Sequence, residues 1–255
     1  MAQEYYAVDI PGKSLYDKEF NLSVRKITPL EQKYILSLST KEQKTNKDFI
    51  DFIKKLVMID NPAMTFEELY WFDVQYILYK IRFITYAKYP VKLRFSCTNI
   101  VEDEGNPGTN KRCNEEIRHE LKIDQLKIYT PEDIENLKTK VVLENFGEVD
   151  IRQKTMGDDL TIDRITKKYK IDPDDLQMRL LLLDLCLISK NKSVDELYEA
   201  ASNGDITAED ITTIEDWFTH TIWGVREEVT VKCPKCGKEE TRSYTLALEE
   251  FFSAI

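Results

Sequence analysis

The sequence predicts an α+β chain, mostly helical with short antiparallel strands, laid down as two copies of one plan. Three observations carry that expectation. Helix-start signatures recur before apolar runs of helical period, as in Thr28…Glu31, Thr65…Glu68 and Ser193…Glu196. Short alternating stretches such as Val91–Cys97, Glu116–Ile123 and Val229–Lys232 fit strands with one buried face. Finally, the order strand, helices, strand, cysteine, cysteine, strand occurs twice along the chain.

In chain order, Phe20–Ile27 alternates as a strand, and Thr28 caps a helix with Pro29 at its first position, running to about Leu38. A polar loop at 41–47 leads to a helix capped by Asp48, with Phe49, Phe52, Ile53, Leu56 and Val57 on its apolar face. The capping box at Thr65 is expected to open a long core helix to about Ala87, stopped by Pro90. The strand 91–97 ends in Cys97, and an acidic, glycine-containing loop (98–112) separates it from Cys113 and the strand 116–123. Pro131–Leu137 reads as a short helix, and 140–152 as a hairpin turning near Asn145–Gly147. Helices follow at 158–169 and 176–188. Ser193 and Thr207 then cap two more, with Gly204 between them. A returning strand over 240–248 and an aromatic close at Phe251-Phe252 complete the chain.

Composition narrows the function. Of 255 residues, 46 are acidic and 36 basic, giving a net charge of −10. A protein that gains affinity by displacing counterions from phosphates needs the opposite sign, so nucleic acid and anionic membranes are poor partners. The N-terminus shows no basic region followed by an apolar run, and no apolar stretch is long enough to span a bilayer. The expectation is a protein without a signal peptide or membrane span, soluble and intracellular at synthesis. Five cysteines, an odd number, argue against a disulfide framework.

The most informative stretch is Val229-Thr230-Val231-Lys232-Cys233-Pro234-Lys235-Cys236-Gly237. Two cysteines two residues apart after a strand, with a glycine behind them, form a knuckle that aims both sulfurs at one point. One knuckle gives two ligands, and a structural zinc takes four. The second pair comes from aligning the two copies. Thr221–Gly224 followed by a strand to Cys233 parallels Ile84–Ala87 followed by a strand to Cys97, and the strands after Cys113 and Cys236 correspond. Val24-Arg25-Lys26-Ile27-Thr28 likewise parallels Ile151-Arg152-Gln153-Lys154-Thr155. The expected site is Cys97, Cys113, Cys233 and Cys236 around one zinc, a half-site from each copy, 1–128 and 129–255, within one compact unit. Four thiolates leave no open position, so the metal would be structural.

Other candidates have plainer readings. Cys186 lies in an apolar helix and reads as a buried thiol. His119 and His220 could replace a cysteine ligand, but surface roles on their strand and helix suit them better. Asp158-Asp159 and Asp174-Asp175 sit at helix starts, where the dipole favours carboxylates. No Ser–His–Asp order, phosphate loop or calcium-loop spacing is present. Scarce histidines and a closed metal site disfavour metal-dependent hydrolysis, so no enzyme is expected.

With these elements in place, the chain resembles the baseplate hub and hub-assembly proteins of contractile-tailed, T-even-like bacteriophages. The opening Ile10-Pro11-Gly12-Lys13…Thr28-Pro29-Leu30-Glu31 is similar, as are the long helix with Asp73 and Tyr76 before a strand and cysteine, and the C-terminal Cys-Pro-Lys-Cys-Gly…Leu-Glu-Glu-Phe-Phe. The resemblance covers most of 8–128 and 220–255, and the wide Cys97–Cys113 gap departs from the compact pair it implies. It implies a late, non-enzymatic structural or assembly protein of the tail baseplate hub region, formed in host cytoplasm and located in the virion tail. The implied partners are hub, tape-measure and wedge proteins in a symmetric oligomeric assembly. The competing reading is a zinc-ribbon regulator binding nucleic acid through Lys232, Lys235, Lys238 and Arg242, whose basic run is broken by Glu239 and Glu240.

Overall fold

The fold begins with a small sheet that only one of its strands announces in the sequence. In the computed structural model, β1 (Tyr5–Val8), β2 (Leu22–Arg25) and β3 (Val57–Ile59) pair antiparallel with β2 central. The structure describes residues 4–40, 46–102, 105, 108–134, 137–189, 191–246 and 251–252. The loop at 41–45, most of the acidic tip near 103–107, and 247–250, which include the end of the strand expected over 240–248, lie outside the described residues. β3 escapes sequence reading because Val57 continues the apolar run of the preceding helix. Helix α1 (Pro29–Thr40) starts where expected, whereas α2 (Asn46–Lys54) begins before Asp48 and ends before Val57.

The capping box at Thr65 is real but closes only one 3-10 turn, Phe66–Glu68. Leu69 and Tyr70 then run extended, and the long helix α3 (Trp71–Thr85) starts after them. The interruption has a cause in the tertiary structure. Tyr70 bridges Thr155, Trp71 N–H donates to the Lys154 carbonyl (2.9 Å), and Met156 N–H donates to the Leu69 carbonyl (2.9 Å). These bonds need an extended backbone, so the helix waits until they are made.

Strand β4 (Val91–Ser96) pairs with a later strand, and the segment between them forms its own hairpin of β5 (Ile100–Glu102) and β6 (Asn110–Arg112). The partner of β4 is β7 (Glu116–Leu121). A three-residue strand, β8 (Lys127–Tyr129), is too short to show alternation, and where a helix is expected at 131–137 the described residues show a 3-10 turn at Pro131–Asp133, with 135–136 outside the described residues. The hairpin β9 (Lys140–Leu143) and β10 (Gly147–Asp150) turns where predicted. Helices α4 (Met156–Tyr169), α5 (Leu176–Leu187), α6 (Val194–Asn203) and α7 (Ala208–His220) follow, with caps at Thr155, Asp175, Ser193 and Thr207. Strand β11 (Gly224–Arg226) pairs with β8, and β12 (Glu228–Lys232) pairs with β13 (Glu239–Ser243). The described residues thus hold seven α-helices with short antiparallel strands.

Buried side chains form two clusters. The first gathers the β1–β3 sheet, α1–α3, β4 and β7, and it also takes Val229 and Val231 of β12 and the terminal Phe251 and Phe252. The Phe252 carbonyl accepts from Gln32 Nε2 and Tyr86 Oη, both at 2.9 Å, fixing the expected aromatic close. The second cluster is built from β9, β10 and α4–α7. Trp223 lies between the two. It packs edge-on to Phe72 at 5.0 Å and to Tyr70 at 5.5 Å, and Phe72 in turn stacks on Phe218 at 6.0 Å.

Several local arrangements occur twice. Arg25 Nη1 and Nη2 reach both oxygens of Glu31 (2.9 and 2.6 Å), and Arg152 does the same to Asp158 (2.8 and 2.7 Å). Each carboxylate also accepts from the cap residue N–H, Thr28 or Thr155. The backbone N–H of each arginine donates to a leucine carbonyl at or just past a helix end, Leu56 beyond α2 or Leu187 at the end of α5. Buried Asp73 at the start of α3 accepts from Gly12 N–H (2.7 Å), and buried Asp210 at the start of α7 accepts from Glu144 N–H (2.6 Å).

Candidate metal centre

Strand β12 carries Cys233 to the end of a sheet edge, and the chain turns back through Cys236 into β13. Cys233 N–H donates to the Lys238 carbonyl (2.9 Å) and Gly237 N–H to the Cys233 carbonyl (3.0 Å). Gly237 adopts φ +72°, which a glycine reaches without a steric cost. Strand β4 delivers Cys97 in the same way. Cys97 N–H donates to the Glu115 carbonyl (2.9 Å) and Asn114 N–H to the Cys97 carbonyl (3.1 Å), with Asn114 at φ +52°. Asn is the commonest residue after Gly to accept that conformation.

The two turns therefore share one geometry. Cys113 N–H donates to the Asn99 carbonyl at 2.8 Å, closing the turn across the base of the β5–β6 hairpin. Without residues 100–112 the segment would read Cys97-Thr98-Asn99-Cys113-Asn114, a compact pair followed by a left-handed residue. The wide gap is a hairpin inserted into a complete knuckle. The signal was present in Cys113-Asn114 as the counterpart of Cys236-Gly237.

The four sulfurs lie within 4.8 Å of one another, with Cys97–Cys236 at 3.6 Å and Cys113–Cys233 at 3.8 Å. Four thiolates at about 2.3 Å from a zinc define a tetrahedron with edges of about 3.8 Å, so the cluster has the size such a site requires. All four are free thiols. The N–H groups of Asn99, Glu115 and Lys238 point at the sulfurs of Cys97, Cys113 and Cys236, each two residues behind. The Lys238 N–H, with the Asn99 side-chain amide at 3.5 Å, holds the Cys236 thiol down at about 6. Among the described residues neither histidine joins the cluster. His220 is exposed on α7, with Nδ1 against the Asp216 carbonyl, and His119 lies on β7 with Nε2 buried and unpartnered. Cys186 is fully buried in the second cluster, and burial pushes its thiol up to about 12.

Three of the four basic residues named around the knuckle, Lys232, Lys238 and Arg242, are paired with acids. Lys232 meets Glu239 at 3.2 Å, while Glu240 takes Arg242 at 3.0 Å and Lys238 at 3.9 Å. Arg242 also donates to the Ser96 carbonyl and Glu240 accepts from Thr98, so these groups tie the two knuckles together.

The sequence matches the family model of the T4 bacteriophage base plate protein over residues 9–253. The chain belongs to that family. No curated protein and no solved structure gives a match. As a baseplate protein it is a structural component of a phage tail, working among other tail proteins. The match runs through both hydrophobic clusters and all four clustered cysteines. Among the described residues no helix is long and apolar enough to cross a membrane.

Proposed function

We propose that this baseplate protein serves in or around the central hub, as a two-copy scaffold clamped by one structural zinc on Cys97, Cys113, Cys233 and Cys236. The observation that carries the reading is a tetrahedron-sized set of four thiols drawn from two distant chain segments. A structural zinc of this type is worth about 10–16 kcal/mol of apparent binding, comparable with the net stability of a whole domain. Its place is where β12 enters the first cluster, so its loss would free the C-terminal strands from the N-terminal core. In this role the protein acts through contacts with other tail proteins, without turnover.

The recurring arginine–carboxylate clamps and aspartate pins support a duplicated plan over 1–128 and 129–255. Arg25, Thr28, Glu31, Leu56 and Asp73 occupy the roles of Arg152, Thr155, Asp158, Leu187 and Asp210. The two copies share one ribbon, with a knuckle from each. The nucleic-acid alternative loses support from the acid pairing of Lys232, Lys238 and Arg242.

Metal analysis of the purified protein and an inventory of isolated tails test both parts. One zinc per chain, lost with any single Cys→Ser change among the four, is the expected result. Recovery with hub components from mature tails or assembly intermediates is expected as well. A zinc-free protein with the same fold would overturn the clamp, and absence from tails and intermediates alike would overturn the placement.

A further inference from the structure

Asn99 meets the cysteine cluster at three points. Its backbone N–H points at the Cys97 sulfur, and its carbonyl accepts from Cys113 N–H at 2.8 Å. Its side-chain amide nitrogen lies 3.5 Å from the Cys236 sulfur. The first two contacts stay inside its own knuckle, whereas the third crosses to the other. One residue therefore touches three of the four cysteines, and both half-sites. The inserted hairpin starts at the next residue, Ile100, and leaves all three contacts in place.

The turn itself does not call for this side chain. The second knuckle makes the same turn with Lys235 two residues after its first cysteine, and that lysine is exposed. Asn99 is half-buried instead, tucked across the seam. The electrostatics of the cluster give the amide a use. Four thiolates on one zinc would carry excess negative charge, and Cys97 and Cys233 are buried. Such charge needs donors around it. Backbone N–H groups serve Cys97, Cys113 and Cys236. The cations Lys232, Lys238 and Arg242 are engaged by Glu239 and Glu240. Among the described residues, the Asn99 amide is the one side chain besides the cysteines that donates to a sulfur of the cluster.

We infer that Asn99 is the positioning residue of the metal centre: its backbone shapes the first half-site, and its side-chain amide holds Cys236 of the second in place as a ligand. Because the backbone of Asn99 is fixed at both its N–H and its carbonyl, the amide reaches Cys236 from an anchored base. Partners of this kind, one step out from the ligands, set how firmly a metal is kept. The inference rests on the zinc reading for the metal itself.

The test loads the full-length protein with zinc, and separately with cobalt as a spectroscopic probe. Asn99→Ala should still bind one metal per chain but release zinc to excess chelator about tenfold faster than the parent. Its sulfur-to-cobalt charge-transfer band should move to longer wavelength, because a sulfur without its N–H partner gives up charge more readily. Asn99→Asp, which sets a carboxylate against the thiolate, should release zinc faster still. Thr98→Ala is the control: Thr98 Oγ1 joins Glu240 and Arg242 across the same seam without touching a sulfur, so its band should stay where the parent's is. An unchanged band and release rate in Asn99→Ala, or an equal band shift in Thr98→Ala, would overturn the inference. A measurement on the parent alone needs no variant to fold. With an NMR-active cadmium isotope bound, the Asn99 side-chain amide proton should couple to the metal through the Cys236 sulfur. Coupling from the backbone N–H groups of Asn99, Glu115 and Lys238 without that signal would also overturn it. A parent protein that binds none of these metals would overturn the zinc reading beneath it instead.

Discussion

Excising residues 100–112 should leave the four-cysteine cluster, and the zinc proposed for it, intact. The deletion joins Asn99 to Cys113 and turns the first half-site into Cys97-Thr98-Asn99-Cys113-Asn114. The structure already holds the join nearly closed, since Cys113 N–H donates to the Asn99 carbonyl at 2.8 Å. Hydrogen-bonded residues across an antiparallel pair have Cα atoms about 5.5 Å apart, and a peptide bond needs about 3.8 Å. The closure is therefore a local shift of less than about 2 Å. Shortening the segment between the two cysteines from 98–112 to 98–99 removes at most about 2 kcal/mol of loop-closure entropy. Both terms are small beside the roughly 10–16 kcal/mol of a four-ligand zinc. The contacts that hold β4 to β7 and to the other knuckle, including Arg242 on the Ser96 carbonyl, lie outside the excised residues. Zinc content and thermal unfolding check the outcome. The expected result is one zinc per chain and a melting temperature within about 8 °C of the parent, given about 2–4 °C per kcal/mol for a chain of this size. Zinc content below half an equivalent, or a fall of more than about 10 °C, would show that the hairpin is part of the site.

Three further outcomes are expected. Chelation of the metal, or Cys113→Ser, should lower the melting temperature and raise amide exchange in β12 and β13 before the second cluster responds, as read by hydrogen–deuterium exchange. Glu31→Gln should cost about 1–2 kcal/mol at pH 7, because the Arg25 guanidinium, helped by the Thr28 N–H, holds Glu31 at about 2, well below its ordinary 4.5, and solvent screening reduces what that shift is worth at this partly exposed pair. A lowered carboxylate stabilises above its unfolded pKa and loses that effect as pH falls, so the difference between parent and variant in urea should shrink from pH 5 to pH 2. Gly12→Ala should destabilise by about 1–3 kcal/mol by urea unfolding, since its Cβ would lie 2.6 Å from an Asp73 oxygen and 2.9 Å from the Trp223 ring.

Sequence reading was most secure where one residue type has one physical use. Thr–x–x–Glu and Ser–x–x–Glu marked helix starts, Asn145–Gly147 a hairpin turn, and Cys-Pro-Lys-Cys-Gly a sulfur-aiming turn. It failed where tertiary bonds override a local signal. The Thr65 cap is satisfied within one turn, and Tyr70 is then claimed by Thr155, so the helix that the periodicity promised begins later. Strands β3, β8 and β11 are three residues each, too short for alternation to emerge, and exist because a neighbouring strand needs partners.

The hardest feature to read was the second cysteine pair, and the reason bears on how this chain is built. Spacing identifies a ligand pair only while the turn between the cysteines is uninterrupted, and the β5–β6 hairpin destroys spacing without disturbing the turn. Backbone geometry survives where spacing does not: each half-site returns an N–H to its first cysteine's carbonyl from a residue of positive φ, Gly237 in one and Asn114 in the other. The inserted strands pair only with each other, and their residues remain exposed or half-buried. A rigid four-sulfur base can carry such an insertion because the metal, rather than the loop, would hold the two cysteines together. The proposed clamp between the two knuckles would thus also free one of them to carry a projection, a division of labour suited to a chain that works by contact with neighbouring tail proteins.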